Sequence, residues 1–237
     1  MGIVLTSKAL DATAYAVSYP AVVSNGLQYL NLFSAEDSIS HNLAGIRNKK
    51  VVGNPVAKGA ANGVTFRNDK DYVDSVMSEP DEFTLFSVFV MPTSDISYAL
   101  SNSRSSLNNL SFTLGSNPAG ATLYYGYGNG LMRTVTVPAT GIAAVMGRVK
   151  TKGAVGAVIA EINNLTTGGN SKLTYTEEMG NHTKAGAFRV GSGYATTANP
   201  ASTVLFAAAW DRYLTDDEMN RQYAQIKDTY AAIGVSI

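Results

Sequence analysis

Apolar residues along most of this 237-residue chain come in short runs broken by turn residues, and only the last stretch carries a helical period. The run "GVTFRNDKDYVDS" alternates around Val64 and Phe66, which predicts a strand with one buried face. "EFTLFSVFVMPT" places apolar groups on both parities from Phe83 to Met91, the pattern of a strand buried on both sides, and Pro92 ends it. "LSFTLGSNPAGATLYYGYGNGLMRTVTVP" reads as strand, turn at Ser116 to Gly120, tyrosine-rich strand, turn at Gly128 to Gly130, and a third strand stopping at Pro138. The alanine-rich part of "GIAAVMGRVKTKGAVGAVIAEINNLTTGGNSKLTYTE" invites a helix. Gly147, Gly153 and Gly156 would each cost about 1 kcal/mol there relative to alanine, so strands are expected, with "TTGGN" as a turn. "AFRVGSGY" and "STVLFAAAW" follow as further strands. Strand signals at roughly 8–12-residue intervals predict an all-β sandwich or barrel of antiparallel, meandering pairs.

The chain then closes on "TDDEMNRQYAQIKDTYAAIG". Thr215 and Glu218 stand in capping-box spacing, and Asp216 and Asp217 put negative charge on the first turn, where the macrodipole favours it. Met219, Tyr223, Ile226, Tyr230 and Ile233 recur at steps of four and three and line one face, and Gly234 supplies a left-handed C-terminal residue. This predicts an amphipathic helix lying on the sheets, with Tyr223 and Ile226 buried. Residues 26–237 contain no linker-like segment and read as one domain. Residues 1–25 show no clear period and read as an N-terminal arm for assembly or attachment.

Composition narrows the partners. With 45% hydrophobic residues the chain can bury a large core, and its 15% charged fraction falls below the roughly 25% usual for soluble domains. Lys plus Arg and Asp plus Glu are 18 each, so nothing pulls the chain toward nucleic acid or an acidic membrane. Cysteine is absent, which removes disulfides and thiolate chemistry. No secretory signal or membrane span is expected from the sequence. Gly2 and Thr6 match the myristoylation pattern, but no polybasic patch stands beside them to supply a second anchor.

The order "FTLFSVFVMPT", a glycine-punctuated meander, "FRVG" and "LFAAAWDRYLTDDEMNRQYAQIK" resembles the concanavalin A-like lectin and laminin-G-like jelly-roll superfamily. The positions that carry the resemblance are Val190 and Gly191, then Trp210, Asp211, Arg212, Leu214, Thr215 and Glu218. The front end, "LFSAEDSISHNLAG" with "VVGNP", is similar to the entry of such domains in bacteriophage virion proteins, and the likeness spans about residues 27–237. It implies a concanavalin A-like jelly-roll sandwich with one C-terminal helix covering apolar sheet surface, Trp210 and Leu214 being structural. It also implies a homotrimeric fibre or receptor-binding component of a virion, made in the bacterial cytoplasm, in contact with other virion proteins and with host surface glycans.

Chemistry is sparse. The glycanases of this superfamily carry a Glu-x-Asp-x-Glu strand that brings two carboxylates about 5 Å apart for retaining hydrolysis. This sequence has no such triplet: Glu177 and Glu178 are adjacent and would point to opposite faces, and Glu161 stands alone in "AEIN". No catalytic residue, cofactor or metal site is expected. Asp69, Asp71 and Asp74 read as a solvated turn, and His41 and His182 lack metal-ligand spacing. The remaining recognition chemistry is "LYYGYGNG", where Tyr124, Tyr125, Tyr127 and Asn129 are expected to offer an aromatic face with amide hydrogen bonding to a sugar. A carbohydrate-active enzyme, or its accessory binding module, is the alternative reading.

Overall fold

The computed structural model describes residues 21–45, 48–67, 70–92, 95–103, 109–127, 131–151, 158–175, 183–184, 186–194 and 201–237. Sixteen strands and one α-helix follow in order: β1 (Leu27–Leu32), β2 (Lys50–Val52), β3 (Val56–Ala57), β4 (Val64–Phe66), β5 (Tyr72–Met77), β6 (Glu82–Val90), β7 (Ser97–Ser101), β8 (Asn109–Asn117), β9 (Gly120–Tyr127), β10 (Leu131–Val137), β11 (Ile142–Thr151), β12 (Val158–Asn164), β13 (Gly169–Tyr175), β14 (Thr183–Lys184), β15 (Phe188–Val190), β16 (Ser202–Trp210) and α1 (Asp216–Ala231). A short 3-10 turn, Asp37–Ser40, follows β1.

Two 8-stranded sheets form a jelly-roll sandwich. The first runs β13-β12-β11-β6-β16-β4-β3, with β1 also pairing β16; the second runs β10-β9-β8-β7-β15-β5-β2. Pairing is antiparallel, except where the two-residue β14 lies parallel to the start of β8. β6 is central to the first sheet, between β11 and β16, and its residues from Phe83 to Phe89 are all buried. Its alternate residues serve two different cores. Phe83, Leu85 and Phe89 face the second sheet, where Phe112, Leu114, Leu123, Phe188 and Val190 meet them. Phe86 and Val88 point the other way and pack with Trp210, Leu214, Met219, Ile226 and Tyr230. The molecule therefore has three layers, and α1 closes the outer side of the first sheet alone.

The expected meander is present over β8, β9 and β10, with Pro118 and Ala119 as the turn between β8 and β9. The alanine-rich segment is strand (β11), as the glycine argument required; Gly153 and Gly156 lie outside the described residues. Gly191 explains the "FRVG" signature. Its φ is +82°, and a Cβ there would fall 2.3 Å from the Phe66 ring, so this corner of the core closes only around glycine.

The helix begins as read. Thr215 accepts a hydrogen bond from the Glu218 amide, and the Glu218 carboxylate returns one from the Thr215 amide. At the other end the Val235 amide reaches the Tyr230 carbonyl and the Gly234 amide reaches that of Ala231, a Schellman closure around Gly234 at φ +79°. The buried stripe differs from the one expected. Met219, Ile226 and Tyr230 are buried, Tyr223 is half-buried with its hydroxyl on the Ile237 carbonyl, and Ile233 is 45% exposed because the helix has ended before it. Gln222 is fully buried in the middle of the stripe. Its Oε1 accepts the Val23 amide while Gln225 Oε1 accepts that of Val22, and Trp210 Nε1 donates to the Val23 carbonyl at 2.8 Å. The last part of the expected arm is thus strapped to α1, with Val23 in the helix-side core; residues 1–20 lie outside the described residues.

Arg212 joins strap, strand and cap. Its Nε donates to the Asn25 carbonyl, and Nη1 and Nη2 grip both oxygens of Glu218 at 2.9 and 2.6 Å. The guanidinium bonds, against a smaller opposing burial effect, bring the Glu218 carboxyl from its ordinary 4.5 to about 2. A depressed carboxyl stabilises the fold fully above its unfolded value and stops doing so as pH falls through its folded value. The stabilisation is therefore present above about pH 4.5 and lost toward pH 2, with a ceiling of roughly 3 kcal/mol that solvent around the ion pair reduces to about 1–2. Glu218→Gln keeps the cap geometry and loses the charge. Its urea midpoint is expected below wild type at pH 7, with the gap narrowed at pH 2.5; an equal gap at both pH values would show the ion pair is not the source.

Candidate functional site

Because α1 covers the first sheet, the sheet face without a helix on it is the outer face of the second. Strand alternation decides which residues occupy it. Val73, Val190, Leu100, Leu114, Leu123 and Val135 face the core, so their neighbours face outward. The registers align those neighbours in one row: Lys50 opposite Asp74, Arg189 opposite Ser101, Ser101 opposite Thr113, Thr113 opposite Tyr124, and Tyr124 opposite Thr134. Arg189 and Asp74 link the two halves through an Nε to Oδ1 bond of 2.8 Å. Every residue of this row is polar or tyrosine, and it crosses the sheet from β2 to β10.

Access along the row is uneven. Ser101 and Thr113 are buried and bond to each other at 2.6 Å, with the Ser103 amide also on Ser101 Oγ. The row is open at its β2–β5–β15 end. There the Arg189 guanidinium lies between two rings, its Cζ 4.1 Å from the Tyr72 centroid and 3.4 Å from that of Tyr194. Tyr194 is positioned by its own hydroxyl, which donates to the Ala187 carbonyl, and Arg189 Nη1 donates to the Gly193 carbonyl at 3.2 Å. Arg189 keeps 14% of its side chain exposed and Asp74 keeps 23%. With both guanidinium faces against rings, that exposure falls on the edge. The Arg189 Nη2 donors and Asp74 Oδ2 have no partner among the described residues, and Lys50 beside them is exposed. Donor, acceptor and aromatic surface thus stand within one corner.

The expected aromatic face is not formed by Tyr124 and Tyr125. Adjacent strand residues point to opposite sides, so Tyr125 enters the inter-sheet core against Phe112, with ring centroids 6.1 Å apart. Tyr124 does lie on the outer face but is only 8% exposed, and burial raises its hydroxyl pKa. Asn129 and the Tyr127 side chain lie outside the described residues. Period-two alternation was available in the sequence to separate Tyr124 from Tyr125. Nothing local pointed to Tyr72, Asp74, Arg189 and Tyr194, which come together only through the β5–β15 pairing.

Two further residues are placed differently from expectation. Asp71 is fully buried rather than solvated: its Oδ1 accepts the Asn54 amide at 2.7 Å and its Oδ2 pairs with Arg67, so it ties two loops together. Glu161 is not alone. It receives Arg148 Nη2, the Tyr213 hydroxyl at 2.6 Å and Asn163 at 3.3 Å, on the far side of the molecule beside the start of α1. Burial alone would raise its pKa, but the Tyr213 and Arg148 hydrogen bonds and the guanidinium charge hold it below the usual carboxylate range. Leu214 and Trp210 are buried as expected, the Leu214 amide resting on Thr84 Oγ1. Asp69, Glu177, Glu178 and His182 lie outside the described residues. Among the described residues no group of three or more His, Asp or Glu is placed to hold a metal ion, and no helix is long and apolar enough to cross a membrane.

No family model and no curated protein matches the chain. Solved structures do. The binding domain of botulinum neurotoxin DC, in complex with rat synaptotagmin II, superposes with a TM-score of 0.57 at 10% identity, covering 86% of this chain and 52% of that one. A botulinum neurotoxin type C chain, whose cell entry depends on interaction with two ganglioside molecules, gives 0.56 at 9%, covering 84% and 51%. The Ruminococcus gnavus sialidase module CBM40, bound to α2,3-sialyllactose, gives 0.44 at 17%, covering 59% and 80%, a superposition too loose to carry the likeness further. The chain spans about half the length of the neurotoxin chains, 51% and 52%. At 9% and 10% identity the shared property is the jelly-roll β-sandwich fold.

Proposed function

We propose that this chain is a glycan-binding module that acts through the accessible β2–β5–β15 end of the outer face of its second sheet. The observation that carries the reading is the Tyr72–Arg189–Tyr194 stack with Asp74 and Lys50 at the accessible end of a polar row. Neighbouring sugar hydroxyls each donate and accept, and a carboxylate beside a guanidinium edge answers both demands, while ring surface suits the C–H face of a pyranose. The neurotoxin type C chain, which shares the fold and whose cell entry depends on interaction with ganglioside molecules, is in keeping with this. Binding rather than hydrolysis is the proposed activity. Glu161 supports that, since Arg148, Tyr213 and Asn163 already occupy its carboxylate.

The sequence likeness over residues 27–237 supports a finer placement, as a receptor-facing component of a bacteriophage particle, trimeric through an arm at residues 1–25. The same face would serve equally in an accessory carbohydrate-binding module of an enzyme. A glycan array probed with wild type and with Tyr72→Ala tests the module itself: specific binding lost in the variant at unchanged melting temperature is expected, and array-wide silence of wild type would overturn it. Reducing-sugar release by the wild-type protein would instead establish an enzyme. A mass-spectrometric inventory of purified virions, with light scattering on the full chain, tests the particle and the trimer.

A further inference from the structure

The corner that carries the proposed glycan site has an unbalanced charge. Strand order places Asp74 of β5 between Lys50 of β2 and Arg189 of β15, with neighbouring strands about 4.8 Å apart, so the two strands that carry the cations run on either side of the carboxylate's strand, their backbones roughly 10 Å apart. Asp74 is engaged by Arg189 Nε. Lys50 faces it across the register but makes no ion pair among the described residues, and it is exposed. The row continues from Arg189 into Ser101, Thr113, Tyr124 and Thr134, none of which carries a charge at neutral pH. One positive charge is left over.

The donors left over match it. The Arg189 Nη2 atom carries two N–H groups with no acceptor among the described residues, and the two rings prevent the guanidinium plane from tilting away. A guanidinium held in one plane offers a carboxylate oxygen a charge-assisted N–H···O bond from Nη2, and a mobile ammonium on one side adds a point charge. We infer that the site selects saccharides bearing a carboxylate, of the uronic acid class, with the acid on the Arg189 edge and within reach of Lys50. Asp74 holds Arg189 in place and, through Oδ2, takes a hydroxyl of the same sugar. This rests on the glycan-binding reading above, and it adds the chemical class of ligand.

Calorimetry on the full chain with three probes tests it: an oligosaccharide containing glucuronic acid, the same compound with that carboxyl reduced to the alcohol, and a sulfated counterpart. The acid is expected to bind wild type at least about tenfold more tightly than the reduced compound, with the preference weakening as salt is raised. Arg189→Lys keeps the charge without the planar edge and is expected to remove most of that preference. Lys50→Gln, on an exposed side chain, is expected to lower acid binding several-fold and to lower binding of the reduced compound less. Equal binding of acid and reduced compound would overturn the inference while the glycan-binding reading stands. Tighter binding of the sulfated compound would overturn the assignment of a carboxylate. Binding of none of the three, nor of any glycan on the array, would overturn both. If Arg189→Lys does not fold, the wild-type comparison and Lys50→Gln decide alone.

Discussion

Trp210→Ala is expected to lower the unfolding free energy by about 3–5 kcal/mol. Trp210 is fully buried at the end of β16, in the core between the first sheet and α1. Its removal leaves a void that neighbours from the sheet, the helix and the strap cannot all close, and void volume adds to the lost transfer energy. It also orphans the Val23 carbonyl, which now accepts the indole N–H at 2.8 Å. Trp210→Phe separates the two contributions, because it keeps most of the volume and loses only the hydrogen bond; about 1–2 kcal/mol is expected. Chemical denaturation followed by circular dichroism measures both. A loss below about 1 kcal/mol in the alanine variant would show that the helix-side core rearranges freely.

Arg148→Ala is expected to cost about 3–5 kcal/mol for a different reason. Arg148 is buried, with Nη1 on the Leu214 carbonyl at 2.9 Å and on Asp216 Oδ1 at 2.6 Å, and Nη2 on Glu161. The guanidinium thus fastens β12 to the residues just before and at the start of α1. Its loss leaves Glu161 half-covered and uncompensated. The double variant Arg148→Ala, Glu161→Gln removes both charges and is expected to recover roughly 1–2 kcal/mol relative to Arg148→Ala alone. Strict additivity of the two single losses in urea titrations would show that the charges do not interact.

The contrast between these residues explains how much the sequence discloses. β6, the β8–β10 meander and the capping box at Thr215 and Glu218 are written in local patterns: apolar groups on both parities, glycine and proline punctuation, and a spacing of three. Trp210 and Leu214 follow from the same local grammar. Gln222 does not. A glutamine within an apolar stripe reads as a break in the pattern, and its burial makes sense only once the backbone of Val23 lies against it, 199 residues away in sequence. Asp71 is similar, because its partners include the Asn54 amide across a loop. The Arg189 corner is harder still. Its members come from β2, β5 and β15 and from the turn after β15, and strand order in a jelly roll is a property of topology, set by long-range pairing that no window of sequence contains. The tyrosine cluster misled for the opposite reason. It is dense along the chain, but strand alternation distributes its rings between the core and the outer face.

The strap at residues 21–25 and the final residues Val235 and Ile237 both belong to the core under α1, on the side of the first sheet away from the second. An anchor attached at the strap or at Ile237 would therefore hold the molecule by its back, with the Arg189 corner looking the opposite way. A single sugar site of the proposed kind would bind weakly. Several copies held by a common anchor would display their faces outward together, and each bound copy would raise the local concentration of the next sugar for its neighbour, so that adhesion to a densely glycosylated surface exceeds single-site affinity by about 10²–10⁴ without any new contact.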